Sequence, residues 1–292
     1  MLAILSLAHP LVDACSVCVA MSGGLTPGRI LAYNAIAFAG QFPLGVLADS
    51  RPKCARPLAI LGMVLAAAAA ASGARGWPAL VVACVGNAMF HLGAGKRILD
   101  DTSGRGGPIG LFISTGALGL LAGRLGMDRI PAAAPLCFAT ALACVAVLAA
   151  SAMRESPRAL PEPAPASLPM VLGLLALIAW RCWAGLTAGR LSTGGADATV
   201  FVAAFATWAG KAIGGFVGDR NGWKPVVLAS VASSASLAFF LPSGSAGVWI
   251  PLVFLSQLAT GPVLSAMHGA TGRRSGTTFG LNCLALFAGS VP

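Results

Sequence analysis

Long apolar runs recur along the whole chain and constrain its fold more than any other feature. Each run holds about 18 to 22 residues, which is enough to cross a hydrocarbon core of about 30 Å as a helix. Barrel strands are shorter and alternate in hydropathy. The sequence therefore predicts an all-α, polytopic membrane helix bundle with about eleven spans. The predicted spans are residues 2–22, 29–48, 57–73, 78–97, 108–126, 131–152, 168–187, 198–217, 224–241, 247–267 and 275–292.

Composition and charge placement support a membrane protein. The chain is 57% hydrophobic and only 10% charged, whereas soluble domains carry about 25% charged residues. The net charge of +10 does not indicate nucleic acid, because its placement follows membrane topology. With the N-terminus in the cytoplasm, the inner connections hold twelve of the nineteen Lys and Arg residues and the outer connections five. This positive-inside bias predicts an inner (plasma) membrane protein with a cytoplasmic N-terminus.

One long connection, residues 153–167, contains four prolines and several charges. Proline breaks helices, so this stretch is expected to be a cytoplasmic linker. It divides the chain into a six-helix N-terminal half, residues 1–152, and a five-helix C-terminal half, residues 168–292. The first span has no basic residue before it, which favours a retained helix over a cleaved signal peptide.

A short pattern recurs at the inner end of the second span of each half. It is GVLADSRPK from Gly45 to Lys53 and GFVGDRNGWK from Gly215 to Lys224. Small residues allow helices to approach closely, and an Asp can face a helix N-terminus. One copy alone is typical of any cytoplasmic turn, but two copies at equivalent places favour parallel repeats. The residues predicted to form conformational-switch loops are Gly45, Asp49, Lys53, Gly215, Asp219, Arg220 and Lys224.

These paired loops resemble the signature loop of the major facilitator superfamily. Further stretches are similar to the fosmidomycin-resistance type of exporter within it: LAHPLVD from Leu7, AMFHLGAGKR from Ala88 and SGRGGPIGLFISTGALG from Ser103. The resemblance implies two pseudo-symmetric halves, twelve helices, alternating access and export of a solute. Against that pattern the twelfth helix is expected to be missing. Arg124 follows Gly123 where such exporters often have Gly-Pro, so uptake stays open.

Three polar residues are predicted to lie within the membrane, where a charge costs about 2.5 kcal/mol or more. His9 and Asp13 share one face of the first span, and His91 lies at the depth of His9 in the fourth. Because histidine titrates near neutral pH, the three are predicted to carry protons. The alternative is that His9 and Asp13 only satisfy each other and stabilise a helix that contains Pro10.

A second set of candidates lies in the C-terminal half. Arg181, beside Trp180, and Lys211 are predicted to bind the solute, because a guanidinium suits a carboxylate or phosphonate. Snorkelling toward the interface is the alternative. Lys96, Arg97 and His268 lie at inner helix ends, where membrane anchoring is expected.

Together these features predict a secondary transporter that exports a small anionic or amphiphilic organic solute or drug in exchange for protons. The alternatives are an uptake symporter of an organic anion, a degenerate non-transporting protein of facilitator type, and a membrane thiol oxidoreductase using Cys15 and Cys18. We expect no enzyme activity, no cofactor, no metal and no nucleic acid. The expected partners are the solute, protons and the bilayer, and the expected state is a monomer.

Overall fold

The computed structural model describes residues 1–24, 26–130, 132–153, 167–191, 197–240 and 246–291. Most of the predicted linker, residues 154–166, lies outside these ranges. The proposed boundary between the two halves therefore stays a prediction.

Within the described ranges the chain forms eleven helices and no strand. The predicted all-α bundle is confirmed, with eleven helices where eleven spans were predicted. The helices are α1 Leu2–Ser22, α2 Pro27–Ser50, α3 Ala55–Ala71, α4 Trp77–Asp101, α5 Gly106–Arg129, α6 Ala134–Ala152, α7 Leu168–Leu191, α8 Asp197–Asn221, α9 Trp223–Phe240, α10 in two segments, Ala246–Gln257 and Thr260–Ala270, and α11 Ser275–Ser290.

By length and apolar composition, seven stretches in the described part of the chain are able to cross a membrane. They are Leu2–Ser22, Pro27–Ser50, Trp77–Asp101, Gly106–Arg129, Ala134–Ala152, Val200–Asn221 and Ile250–Ala270. Ala55–Ala71 and Leu168–Trp183 are shorter apolar helices. Exposed apolar side chains such as Leu7, Val147 and Leu228 are those expected to face lipid.

Helix α4 runs four residues beyond its predicted end at residue 97. Two ion pairs at i, i+4 spacing stabilise the added turn: Lys96 with Asp100 at 3.2 Å and Arg97 with Asp101 at 2.9 Å. The chain then turns through Ser103, at φ 54°, and Gly104, at φ 76°, before α5 begins.

Two helices depart from regular α geometry, and a proline accounts for each departure. In α2 a π-helical turn covers Ala35–Ala39, four residues before Pro43, which has no N–H to offer the carbonyl of Ala39. In α10 the predicted continuous span is broken after Gln257. Pro262 likewise leaves the carbonyl of Leu258 without its helical donor.

Both halves have buried apolar cores, and several helix pairs join the halves. Phe90, Phe112 and Met63 are fully buried in the N-terminal core, and Ile178 and Met267 are nearly so in the C-terminal core. Across the interface α2 packs against α11, and α5 packs against α8 and α10. This arrangement brings the second span of each half onto the fifth span of the other.

Candidate functional site

His9, Asp13 and His91 meet in the interior of the N-terminal half. The Nε2 atoms of His9 and His91 lie 2.7 Å apart. The Asp13 carboxylate lies 3.2 Å from the His9 Nε2 atom and 3.4 Å from that of His91. All three residues are buried. The structure thus brings together residues that the sequence grouped by a shared helical face, for His9 and Asp13, and by depth, for His91.

Small residues on α5 let α1 approach closely enough to form this cluster. A Cβ atom added at Gly116 would collide with the side chains of both Asp13 and His9, and one at Gly119 would meet the backbone of Pro10. The His9 ring stacks on Phe112, with centroids 4.6 Å apart. Glycines on α5 therefore leave the space that the polar side chains of α1 occupy.

The hydrogen bonds of the two imidazole rings assign their protons. His9 Nδ1 lies 2.7 Å from the Phe112 carbonyl oxygen, and His91 Nδ1 lies 2.8 Å from that of Asn87. A carbonyl only accepts, so both Nδ1 atoms carry hydrogen. If both rings were neutral, the two Nε2 atoms would present lone pairs to each other at 2.7 Å. One additional proton turns that contact into a charge-assisted hydrogen bond.

Asp13 is placed to balance the charge of this added proton. Its Oδ1 atom accepts a hydrogen bond of 3.0 Å from Asn87 Nδ2, which also donates to Ser16 Oγ. An imidazolium shared by two histidines, with one carboxylate beside it, is neutral overall and suits a buried site. The cluster is therefore able to hold or release one proton.

His9, Asp13 and His91 are also of types that bind transition metals, and their ligand atoms lie within 4.8 Å of one another. Around a tetrahedral zinc with bonds of about 2.0–2.2 Å, ligand atoms sit roughly 3.3 Å apart. The 2.7 Å between the Nε2 atoms is shorter than this and equals a normal hydrogen bond. The geometry suits a proton better than a metal ion.

Arg181, on α7, is buried beside the break in α10. Its Nη1 atom donates to Gln257 Oε1 at 2.9 Å and to Thr260 Oγ1 at 2.5 Å, one residue on each side of the break. Lys211, on α8, lies within electrostatic range of both Arg181 and Asp13. Among the described residues no carboxylate lies within 4.0 Å of either cation. Two cations therefore share this region without an adjacent counter-ion.

Trp180 is not part of this arrangement. Its side chain is 42% exposed, and its ring contacts that of Trp183 at 5.3 Å. Arg181 points instead toward α10. Trp180 thus lies apart from the buried Arg181, and the solute-binding role of Arg181, Lys211 and Trp180 stays a prediction.

The two Asp residues of the repeated loops cap helices of the opposite half. Asp49, on α2, accepts hydrogen bonds from the amide groups of Gly276 and Thr277, at 2.8 and 2.7 Å, at the start of α11. A carboxylate is favoured at a helix N-terminus, where amide groups are unpaired and the helix dipole is positive. We call this set of contacts the Asp49 latch.

The Asp219 latch repeats this geometry on the other side. Asp219, on α8, accepts hydrogen bonds from the amide groups of Gly106 and Gly107, at 2.7 and 2.8 Å, at the start of α5. Asp219 follows Asp49 by 170 positions, the same shift that separates Gly276 from Gly106. Both latches lie at the end of the bundle that is predicted to face the cytoplasm.

The same shift relates the close backbone contacts beside the latches. A Cβ atom at Gly45 would meet the carbonyl of Gly276, and one at Gly215 would meet that of Gly106. One helical turn deeper, Gly280 packs on the Gln41 carbonyl as Gly110 packs on the Lys211 carbonyl. The helix pairs α2–α11 and α5–α8 are thus two copies of one glycine-mediated contact.

Solved structures with a similar fold include transporters of the major facilitator superfamily. Two structures of FucP, one of them in the outward conformation and the other described as the E. coli fucose:proton symporter, align over 98% of this chain and 88% of theirs. Their TM-scores are 0.58 and 0.63 and their identities 15% and 14%. The human organic anion transporter MFSD10 aligns over 99% of this chain and 91% of its own, with TM-score 0.50 and 15% identity. The chain has the major facilitator fold. No protein-family model and no curated protein sequence matches it.

The two latches of this major facilitator fold differ in one respect. Lys96, only 3% exposed, lies 3.1 Å from Asp49 and 3.2 Å from Asp100. The residue 170 positions later is the apolar Ala266. The ammonium group of Lys96 is buried in an ion-pair network. The prediction that Lys96 anchors its helix at the membrane surface is therefore wrong. The aspartate of the first loop, Asp49, is therefore more heavily bonded than Asp219.

The remaining loop residues lie at the surface. Lys53, Arg220 and Lys224 are exposed, and the Lys224 ammonium sits 5.9 Å from the centre of the Trp223 ring. Their switch role stays a prediction, which rests on their position at the inner turns. By contrast, Gly45, Asp49, Gly215 and Asp219 form the contacts between the halves.

Cys15 and Cys18 are fully buried free thiols in α1. Cys18 donates a long hydrogen bond of 3.6 Å to the Gly123 carbonyl of α5. Both therefore contribute to the packing of α1, as small apolar side chains do.

Proposed function

We propose that the protein is a secondary transporter that couples proton movement to the passage of a small anionic or amphiphilic organic solute. The observation that carries this proposal is the 2.7 Å contact between His9 and His91, buried beside Asp13. A polar cluster of this kind is costly inside a membrane, and it is able to hold a proton. The fold it shares with a fucose:proton symporter supports the same conclusion.

The anionic character of the solute follows from Arg181 and Lys211. Neither has a carboxylate within ion-pair distance in the described part of the chain, so a bound anion would supply the missing charge. The likeness in fold to the human organic anion transporter MFSD10 is consistent with this class of solute.

The closed latches suggest how access alternates. With both latches formed, the predicted cytoplasmic end is held shut by four hydrogen bonds to helix N-termini. Opening that end requires all four to break, and the free energy for this step comes from differential binding of solute and proton in the two states.

Export driven by incoming protons is the direction that the sequence resemblance implies. A second candidate, uptake of an anion together with a proton, is favoured by one observation. Lys211 lies within electrostatic range of Asp13, so an anion bound at Lys211 adds negative charge near the histidine pair and strengthens proton binding. Anion and proton would then bind the same state together.

Proteoliposomes with an imposed pH gradient test the proposal. Internal pH is followed with a trapped dye while organic anions, neutral sugars and organic cations are added outside. We expect anion-dependent proton flux in the unmodified protein, its loss in Asp13→Asn, and its retention in Asp101→Asn, a carboxylate that pairs with Arg97 at the far end of α4 and lies outside the cluster. Proton entry with the anion means symport, and anion exit against proton entry means export.

Two results would overturn the proposal. One is equal flux in Asp13→Asn and the unmodified protein. The other is no flux of any kind with the whole panel, which would support a non-transporting protein of the same fold. Activity that depends on Cys15 and Cys18 but not on a gradient would favour thiol chemistry instead.

A further inference from the structure

We propose that Arg29 and the cavity beside it form a second binding site for a small amphiphilic organic anion, at the end of the bundle opposite the two latches. This inference deepens the proposed function and rests on it for the direction in which the anion travels. In this proposal the anion binds first to Arg29, on the side predicted to face outward, and then to Arg181 at the inner site.

The cavity has a volume of about 490 Å³ and lies between α1, α2 and α5. Small-molecule sites have volumes of about 300–1,000 Å³. Apolar side chains form most of its wall, among them Val17, Ile30 and Leu120. A ligand that fits this wall has an apolar body of a few carbon atoms.

Arg29 lines this cavity with a cation that lacks a counter-ion. Its side chain is only 6% exposed, and no carboxylate lies within 4.0 Å of it in the described residues. A guanidinium has five N–H donors. Within the described part of the chain, the Nη atoms donate two long bonds of 3.5 Å, to the carbonyls of Val19 and Arg75, and the Nε atom has no partner. An anion would supply the missing acceptors.

The other charged residues of the cavity leave it electropositive. Arg124 and Asp128 form an exposed ion pair with atoms 3.9 Å apart, so the negative charge of Asp128 is largely offset. Trp77 stacks over the Arg29 guanidinium, with 5.6 Å from the Cζ atom to the ring centre. The cavity therefore has an apolar wall and one positive charge without a counter-ion. A ligand with an apolar body and a single negative charge matches both features.

The position of Tyr33 links this cavity to the proton cluster. Tyr33 follows Arg29 by one helical turn of α2, lines the same cavity, and lies within electrostatic range of Asp13. Tyr33 therefore connects the wall of the cavity with the surroundings of Asp13.

Binding of octanoate to the purified protein tests the site. The protein is placed in phosphatidylcholine nanodiscs as an Arg181→Gln, Lys211→Gln double variant, which removes both cations of the inner site, and titrated by calorimetry without any pH gradient. We expect Arg29→Gln to weaken octanoate binding roughly tenfold or more, as loss of charge-assisted hydrogen bonds does. Arg29→Lys should retain part of the affinity. The exposed Arg75→Gln is the matched control and should bind like the parent.

Neutral octanol separates a binding role from a structural one. If Arg29 only caps the end of α1 and stacks on Trp77, its loss will weaken octanol and octanoate alike and lower the melting temperature. That result, or unchanged octanoate binding in Arg29→Gln, overturns the inference. Phosphatidylglycerol in the nanodiscs identifies the source of the anion: Arg29-dependent competition with octanoate assigns the site to a lipid headgroup, and no competition assigns it to a free solute.

The outcome is independent of the transport assay. If proteoliposomes show no proton coupling but octanoate binding still requires Arg29, the proposed function fails and the site stands. If proton coupling is present and Arg29→Gln binds octanoate normally, the inference of an outer site is refuted and the proposed function stands.

Discussion

Asp49 and Asp219 are equivalent residues of the two halves, and each caps the first amide groups of a helix in the other half. Their four N–H···O distances fall between 2.7 and 2.8 Å. This crossed pair gives the repeated loops a physical role, because the sequence pattern places each carboxylate where the helix dipole of its partner is positive. The glycines beside them set how closely the helices approach.

Gly215→Ala should force the predicted cytoplasmic end apart. The added Cβ atom meets the Gly106 carbonyl, which belongs to backbone and cannot move away as a flexible side chain would. We expect a shift toward the open-latch state of about 1–3 kcal/mol, the usual cost of overpacking. Spin-label distances across α5 and α8 provide the measurement.

Gly173→Ala is the matched control for this substitution, because nothing lies within 4 Å of its added Cβ atom. Distances in that variant should equal those of the unmodified protein. Unchanged distances in Gly215→Ala would contradict the role assigned to the α5–α8 contact.

Lys96→Met should destabilise the fold through the Asp49 latch. It leaves Asp49 and Asp100 without their shared cation, and losing one partner of a largely buried ion pair costs about 2–4 kcal/mol. Arg97→Met removes a more exposed pair, with Asp101, and should cost under about 1 kcal/mol. Unfolding in mixed detergent micelles compares the two variants, and equal losses would refute the distinction.

Acidic pH should strengthen binding of the anionic solute at Arg181. As pH falls, the histidine pair gains one positive charge that offsets Asp13, so the region that receives the anion becomes less negative. Raising the pH removes that proton and weakens binding. Solute affinity measured at a series of pH values from acidic to neutral checks this.

His9→Gln and His91→Gln provide the control for this pH dependence. Each removes one partner of the shared proton, so the affinity of either variant should be nearly independent of pH over the same range. A pH dependence that survives in both variants would assign it to other groups.

Arg181→Lys should reduce solute affinity more than proton movement. The substitution keeps the charge but loses the planar fork that contacts Gln257 and Thr260. We expect roughly a tenfold weaker affinity for an anionic solute, with the proton flux per transported solute unchanged. Solute affinity and flux in the same reconstituted variant check this; loss of coupling at unchanged affinity would place Arg181 in the proton path.

Several elements of this molecule follow from local sequence. The eleven helices follow from the length of the apolar runs, and the equivalence of Asp49 and Asp219 follows from the repeated loop. His9 and Asp13 share a face because they are four residues apart. In each case the deciding information lies within one helix or one motif.

Other features depend on contacts between helices, which no single segment specifies. The pairing of Lys96 with Asp49 depends on how α4 is positioned along α2. The hydrogen bonds of Arg181 depend on the break in α10. Asn87 supports Asp13 from another helix. Between helices in lipid, association depends on detailed packing rather than on apolar pattern, so these pairings were not predictable. A partial signal existed in the i, i+4 spacing of Lys96 and Asp100.

The crossed latches also determine how many ways the molecule is able to open. Each half contributes one carboxylate and one helix end, so moving either half away breaks both latches in a single step. A half-released intermediate would leave one aspartate and one helix end unpaired while the other contact resisted the motion. Under the proposed function, such a gate has two positions and no stable intermediate, which limits the leakage that would dissipate a proton gradient.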